Sequence, residues 1–389
     1  VIAMDNTKTV NEQHSQIKGR ISGLDGLRAI AVLAVIAYHL ELDWMPGGLL
    51  GVGIFFVLSG YLITDILVMQ REKLGRIDLR DFWLRRARRL LPGLFFFLII
   101  VVIWMAISDP SRLTNLWKDL LASLIYLNNW WFIISDASYF SNFGEPSPLL
   151  HLWSLAVEEQ FYLFWPFLLW LGLFFIRKRK RKWLIGLILL GALVSALAMA
   201  YLYEPGLMDQ SRIYYGTDTR AFALLIGAAL ALYLPSQKVM ERSADNKRTR
   251  VILSILGVGG LATLLWMVLY TNEVEPFLYQ GGMVLQCVAT VAVIVAIVHP
   301  SLHWFNRMLG WGPLKWLGVR SYGIYLWHYP ILTLSLPEAI SGDEYTIIRI
   351  VAQLALIITI AGLSWKFIES PIRYKNRNKQ KSTALVIEQ

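Results

Sequence analysis

The sequence predicts an all-α protein: a polytopic transmembrane helical bundle of about ten spans with one re-entrant segment. Three observations predict it. The 389 residues are 56% hydrophobic, with a mean hydropathy of +0.50, more apolar surface than one soluble core of this size buries. The apolar residues fall in repeated runs near the roughly 20 residues a bilayer crossing needs, not in the short alternating segments of a β-barrel. The net charge of +10 is concentrated in every second connection between those runs.

The first stretch, VIAMDNTKTVNEQHSQIKGR (1–20), is polar and has no apolar h-region. It is expected to be a solvated cytoplasmic tail. Spans are expected near 28–44, 48–69, 90–108, 149–176, 183–203, 219–234, 251–270, 278–298, 321–338 and 345–365. Most Lys and Arg residues lie before Arg28 and in the alternate connections REKLGRIDLRDFWLRRARR, RKRKRK (177–182), the 235–250 loop, the 299–320 loop and the C-terminal tail. The opposite connections hold Arg112, Lys118 and Arg212. This is the positive-inside pattern, which places both termini in the cytoplasm of a multi-pass cell-membrane protein. The excess charge is therefore topological, and no nucleic-acid partner is expected. The stretch DLLASLIYLNNWWFIIS (119–135) is apolar enough to enter the bilayer, but a full crossing there would invert the charge pattern downstream. It is read as re-entrant or interfacial, because its Asn128–Asn129–Trp130–Trp131 centre suits protein or a wet cavity better than lipid. The single cysteine, Cys287, forms no intramolecular disulfide and reads as a small buried hydrophobe.

Ionisable groups inside the spans are the functional candidates, since their desolvation must be compensated. Arg28 and His39 are eleven residues apart, within about 20° of the same helix face and separated by about 16 Å along the axis. A neutral imidazole there accepts a proton from an alcohol or attacks an acyl carbon; the alternative is an interfacial histidine with Arg28 reaching back to the inner surface. MPGGLLGVGIFFVLSGYLIT (45–64) follows, with glycines that permit close approach of helices or a ligand. Arg85, Arg86, Arg88 and Arg89 precede a span and suit a phosphate group through bidentate contacts, or else anionic lipid beside a topogenic cluster. In HLWSLAVEEQFYLFWP, Ser154, Glu158 and Tyr162 share one stripe. Glu158 would orient His39 or stabilise its imidazolium, or pair structurally with an arginine; no G-x-S-x-G context marks Ser154 as a nucleophile. His328 in SYGIYLWHYP reads as a packed, hydrogen-bonded residue. Tyr214, Tyr215, Asp218 and Arg220 are expected at the outer side, as candidates for acceptor binding or acyl relay. His14, His151, His299 and His303 are scattered without metal-ligand spacing, so no catalytic metal and no tightly bound cofactor are expected.

Five motifs in order, SGLDGLRAIAVLAVIAYH, GVGIFFVLSGYLIT, RRARRLLP, HLWSLAVEEQFYLFWP and SYGIYLWHYP, resemble the acyltransferase family 3 membrane proteins. The likeness runs from about residue 20 to 373. SRIYYGTDTRAFALLIGAALA (211–231) further resembles the Gram-positive peptidoglycan O-acetyltransferase-like branch. The resemblance implies that an acetyl group is taken from cytoplasmic acetyl-CoA, a substrate rather than a cofactor, and delivered across the membrane to a cell-surface glycan. The family's arginine, ten residues, then histidine pattern matches Arg28 and His39. Its Arg-x-x-Arg motif matches Arg86 with Arg89, or Arg85 with Arg88. Its glutamate motif matches Trp153, Ser154, Glu158, Gln160 and Tyr162, with Glu159 the lesser candidate. On this reading residues 1–20 are a polar tail, 21–373 the acyltransferase domain, and 374–389 a basic tail or linker. Relatives in this branch often continue into an extracellular SGNH-type domain. None is found in this sequence, so the final transfer to glycan is expected to belong to a C-terminal or separate SGNH-type partner. The competing class is a transporter or flippase that moves a substrate without covalent chemistry; it would show internal repeats and interrupted helices in matching halves, and no convincing repeat is found.

Overall fold

The computed structural model describes residues 21–140, 146–175, 181–207, 209–240, 247–335 and 343–373. The expected tails, 1–20 and 374–389, and most of the RKRKRK run lie outside the described residues. Among the described residues the secondary structure is helical throughout, with no strand. The principal helices are α1 (Ser22–His39), α2 (Gly51–Leu74), α3 (Leu79–Ser108), α4 (Leu113–Leu124), α5 (Asn128–Ile134), α6 (Leu152–Phe175) and α7 (Arg181–Leu202). They continue as α8 (Ser211–Tyr215), α9 (Thr217–Tyr233), α10 (Lys247–Tyr270), α11 (Met283–Val298), α12 (Gly312–Leu334) and α13 (Asp343–Ser364).

Among the described residues seven stretches are long and apolar enough to cross a bilayer: Ser22–His39, Pro46–Leu74, Leu79–Ser108, Arg181–Leu202, Lys247–Tyr270, Leu278–Val298 and Ile347–Arg373. The expected count was about ten. The long helices outside that set, α6, α9 and α12, carry Glu158, Arg220 and His328 respectively. The segment 119–135 is interrupted, as the re-entrant reading expects. α4 is 12 residues long, about 18 Å, and the chain reverses at Tyr126 (φ 54°) before the seven-residue α5. Asn128 and Asn129 are buried at that break. The Asn128 amide donates to Ser123 Oγ at 2.7 Å, and that of Asn129 to Thr217 Oγ1 at 2.9 Å. Gln160 joins this network, donating to Asn129 Oδ1 at 2.9 Å. Buried amides are thus partnered by protein rather than exposed to lipid.

α1 lies inside the bundle, packed on α12 and α2. Small residues allow the close approach: a Cβ at Gly318 of α12 would lie 3.0 Å from the Asp25 Cα of α1, and one at Gly227 of α9 only 2.8 Å from the Tyr61 nitrogen of α2. Among the described residues three helices contain an interior proline, at Pro92, Pro166 and Pro330, which leaves the carbonyl four residues earlier without its helical donor. In the last two, a side chain from another part of the bundle takes the freed carbonyl. Pro166 frees Tyr162 O, which accepts from Trp83 Nε1 of α3 at 3.1 Å; Pro330 frees Leu326 O, which accepts from His151 Nε2 at 3.1 Å. The second bond fixes a histidine beside α12. Cys287 is fully buried and free, as its sequence context predicts.

Candidate active site

α1 ends at His39, and its last turn meets α12 and the segment after α5. His39 Nδ1 lies 2.9 Å from Val35 O, one turn back, and its Nε2 lies 3.2 Å from Tyr139 Oη. A carbonyl only accepts, so Nδ1 carries the hydrogen and Nε2 keeps its lone pair, with the Tyr139 hydroxyl donating to it. The same logic applies to His328. Its Nδ1 donates to Tyr325 O at 2.6 Å, leaving Nε2 as an acceptor 3.3 Å from His39 Nδ1. His39 Nδ1–H therefore lies between two acceptors, and the Nε2 lone pair, which accepts from the Tyr139 hydroxyl, points the other way. His151 stands behind, its ring centroid 5.2 Å from that of His328, with Nδ1 buried and unpartnered among the described residues. No group of three or more His, Cys, Asp or Glu among the described residues is placed to hold a metal ion.

Around the lone pair the walls are aromatic. Tyr139 stacks on Tyr38, packs on Tyr214 at a centroid distance of 4.7 Å, and meets Trp153 edge-on. The Tyr38 hydroxyl donates to Glu273, in the connection after α10. Burial raises the Glu273 carboxyl above its ordinary value, opposed by that hydrogen bond, which lowers it.

A small pocket lies beside Tyr325, lined by Arg28, Val52, Phe55, Ser154 and Glu158 among others. Ser154 Oγ and Tyr325 Oη are 2.6 Å apart, and Tyr325 Oη donates to His151 O at 2.9 Å. Glu158 accepts from Ser59 of α2 rather than from any histidine. The expectation that it braces His39 directly is therefore not what this geometry shows; it is a carboxylate in the cavity wall.

At the cavity's far end Arg28 Nε donates to Ser321 Oγ at 3.2 Å. The four arginines of α3 divide by helix face. Arg85 pairs with Asp81 at 2.6 Å and is more than half exposed, and Arg88 is exposed. Arg86 and Arg89 turn inward. Arg86 lies over the Tyr162 ring at 3.6 Å and 3.7 Å from Glu159 Oε1, with its Nε unpartnered among the described residues. Arg89 stands among the like charges of Arg86, Arg28 and Arg373. Of the two registers that the doubled arginines leave open, Arg86 with Arg89 is the one that faces inward, and Glu159, the lesser candidate, lies 3.7 Å from Arg86.

The expected outer-side group separates. Tyr214 and Tyr215 are fully buried in the aromatic wall. Arg220 is 2% exposed, 5.0 Å from the Tyr214 ring and in contact with Met283 Sδ, with Phe56 and Trp153 nearby. Asp218 instead makes a two-pronged pair with Arg212 at 2.9 and 3.1 Å on the surface. Sequence reasoning passed over His151, Tyr139 and, as a site residue, His328. One signal was available: His151 precedes Ser154 by three residues and extends the stripe to Glu158. Nothing local marks Tyr139.

Comparison with known proteins identifies the family. A family model described as an acyltransferase domain matches residues 21–367. OatA of Listeria monocytogenes, named a peptidoglycan O-acetyltransferase, is 46% identical over 355 residues, 91% of this chain and 56% of its own. YrhL of Bacillus subtilis (strain 168), by name a candidate peptidoglycan O-acetyltransferase, is 47% identical over 353 residues, 91% and 55% of the two chains. OatA of Staphylococcus aureus (strain NCTC 8325), named an O-acetyltransferase, is 38% identical over 356 residues, 91% and 57%. The chain spans about half the length of the curated relatives it matches. No solved structure matches it.

Proposed function

This chain belongs to the acyltransferase 3 family, and from that premise we propose that it is a membrane O-acetyltransferase for peptidoglycan, using acetyl-CoA as donor. One observation carries the reading: a pocket lined by Arg28, Glu158 and Tyr325 has Arg86 and Arg89 near its Arg28 and has its Tyr325 against the rings of His151 and His328, the latter packed with His39. Arg86, Arg89 and Arg28 would hold the donor's phosphates by charge-assisted contacts. The narrow pantetheine arm would follow the cavity past Glu158 and Tyr325, over a distance of the order of the 16 Å helix rise from Arg28 to His39. At the far end His39 Nε2 acts as base or nucleophile. As base, it takes the acceptor hydroxyl proton while that oxygen bonds to the acetyl carbon. The carbon–sulfur bond breaks, and CoA leaves as the thiolate, which takes up a proton. His328 holds the tautomer in which Nε2 is free, and the Tyr139 hydroxyl marks where an acceptor hydroxyl would approach.

On this reading α6, α9 and α12 also cross the bilayer, giving about ten spans, with the arginine end and both termini cytoplasmic. The acetyl group then emerges on the far side, for a glycan or for an SGNH-type domain that completes the transfer.

The test uses proteoliposomes given acetyl-labelled acetyl-CoA at the arginine side and a muropeptide acceptor at the other. Release of CoA together with ester-linked label on the acceptor, or on an added SGNH domain, is expected. Passage of the intact labelled donor, or of glycan without CoA release, would replace the enzyme with a transporter.

A further inference from the structure

A second pocket, an open groove, lies between α12 and α13. Trp316, Arg320, Ile358, Gly362, Leu363 and Lys366 are among its walls. Its chemistry is layered. At one end are two cations, Arg320 and Lys366, with Ser370; at the other, Ile358 and Leu363 are open to the surroundings. Lys366 and Ile358 are eight residues apart, about 12 Å along the helix.

The Arg320 guanidinium is held rather than mobile. It lies 4.0 Å from the Trp316 ring and 5.8 Å from that of Trp365, and donates to Trp316 O at 3.1 Å. Its Nε is shielded and has no partner among the described residues. No wall residue is acidic. Glu369, the carboxylate that feels Arg320, is 3% exposed and feels Arg89 and Arg373 more strongly. The charge of the groove is therefore positive and uncompensated at its mouth. A π-helical turn, Trp365–Glu369, produces this division by turning Glu369 inward while Lys366 faces out; such turns recur at functional sites. Gly362 keeps the groove open, since a Cβ there would meet only the Trp316 ring, at 3.9 Å.

We propose that this groove binds one anionic phospholipid, its phosphate on Arg320 and Lys366 and an acyl chain along Ile358, Gly362 and Leu363. The two layers match a lipid's own order of charged head and apolar tail, and basic pockets between membrane helices take such head groups. A free phosphate would use the cations but leave the apolar layer unexplained.

Native mass spectrometry of the detergent-solubilised chain with dioleoyl phosphatidylglycerol or dioleoyl phosphatidylcholine tests this without any turnover. Wild type should retain one phosphatidylglycerol and little phosphatidylcholine. Arg320→Gln with Lys366→Gln should lower phosphatidylglycerol occupancy at least about fivefold, to the phosphatidylcholine level. Gly362→Leu, which fills the groove and leaves the charges, should lower it comparably, and decides the matter alone if the double variant does not fold. Equal retention of the two lipids by wild type, full retention by the variants, or displacement of the lipid by millimolar inorganic phosphate would overturn the proposal.

Discussion

The two ends of the face that joins Arg28 to His39 differ in how they treat charge. At the arginine end, Arg28, Arg86, Arg89 and Arg373 stand near one another, with Glu158, Glu159 and Glu369 among them. At the histidine end, three imidazoles sit among Tyr38, Tyr139, Tyr325 and Tyr329, and hydrogen bonds to carbonyls fix the tautomers of all three. Like charges kept together are a standing demand for an anion. Neutral rings with one lone pair left over are arranged for a reacting group instead. The difference teaches that, on the proposed reading, donor affinity and chemistry are separable between the two ends of α1, with the pocket beside Tyr325 as the link between them.

That separation is open to attack at both ends. The largest expected effect is at the histidine end: His39→Ala should lower kcat for CoA release by about 10³-fold or more, with donor affinity retained. Next is the arginine end, where Arg86→Ala with Arg89→Ala should raise the KM for acetyl-CoA by about 10²-fold, at roughly tenfold per lost charge-assisted contact. Arg85→Ala with Arg88→Ala should change it by no more than about twofold, since surface ion pairs are weak. His328→Ala releases one side of the His39 ring and should lower kcat by about tenfold at unchanged KM. Tyr139→Phe removes one neutral hydrogen bond and should lower kcat by about fivefold. If His328→Ala instead altered donor KM, the two ends would not be separable as described.

The smallest effect is on stability. Burial raises the Glu273 carboxyl above its ordinary value. A raised acid favours the folded state in its protonated form, so its contribution is present below the ordinary value and lost as pH rises through the raised one. Glu273→Gln, a mimic of the protonated form, should therefore gain in Tm relative to wild type between pH 4 and pH 8. A thermal-shift series in detergent across that range checks the sign, and a gain confined to low pH would contradict it.

How much of this was legible in the sequence follows from distance along the chain. Arg28 and His39 lie on one helix, so periodicity alone put them on one face. The break at Asn128–Asn129 was legible because two adjacent amides cannot face lipid unpartnered. The partners of His39 were not. His328 and Tyr139 are 289 and 100 residues away, brought in by packing that no local pattern encodes. Glu158 shows the converse: its stripe is real, but α2 lies alongside and Ser59 takes the carboxylate that spacing assigned to the histidine. Of the ten or so spans expected, seven stretches among the described residues are long and apolar enough to cross a bilayer; α6, α9 and α12, which carry Glu158, Arg220 and His328, lie outside that set, α9 by its 17 residues.

The central claim is that one helix face binds the donor at one end and turns it over at the other. Steady-state CoA release by the lipid-embedded chain, measured across acetyl-CoA concentration for wild type, His39→Ala and Arg86→Ala/Arg89→Ala side by side, tests it most directly. The account predicts that the histidine variant loses kcat at unchanged donor affinity, while the arginine variant approaches wild-type kcat only at much higher donor concentration. A His39→Ala chain with wild-type kcat, or an arginine variant that lost kcat at unchanged KM, would contradict it.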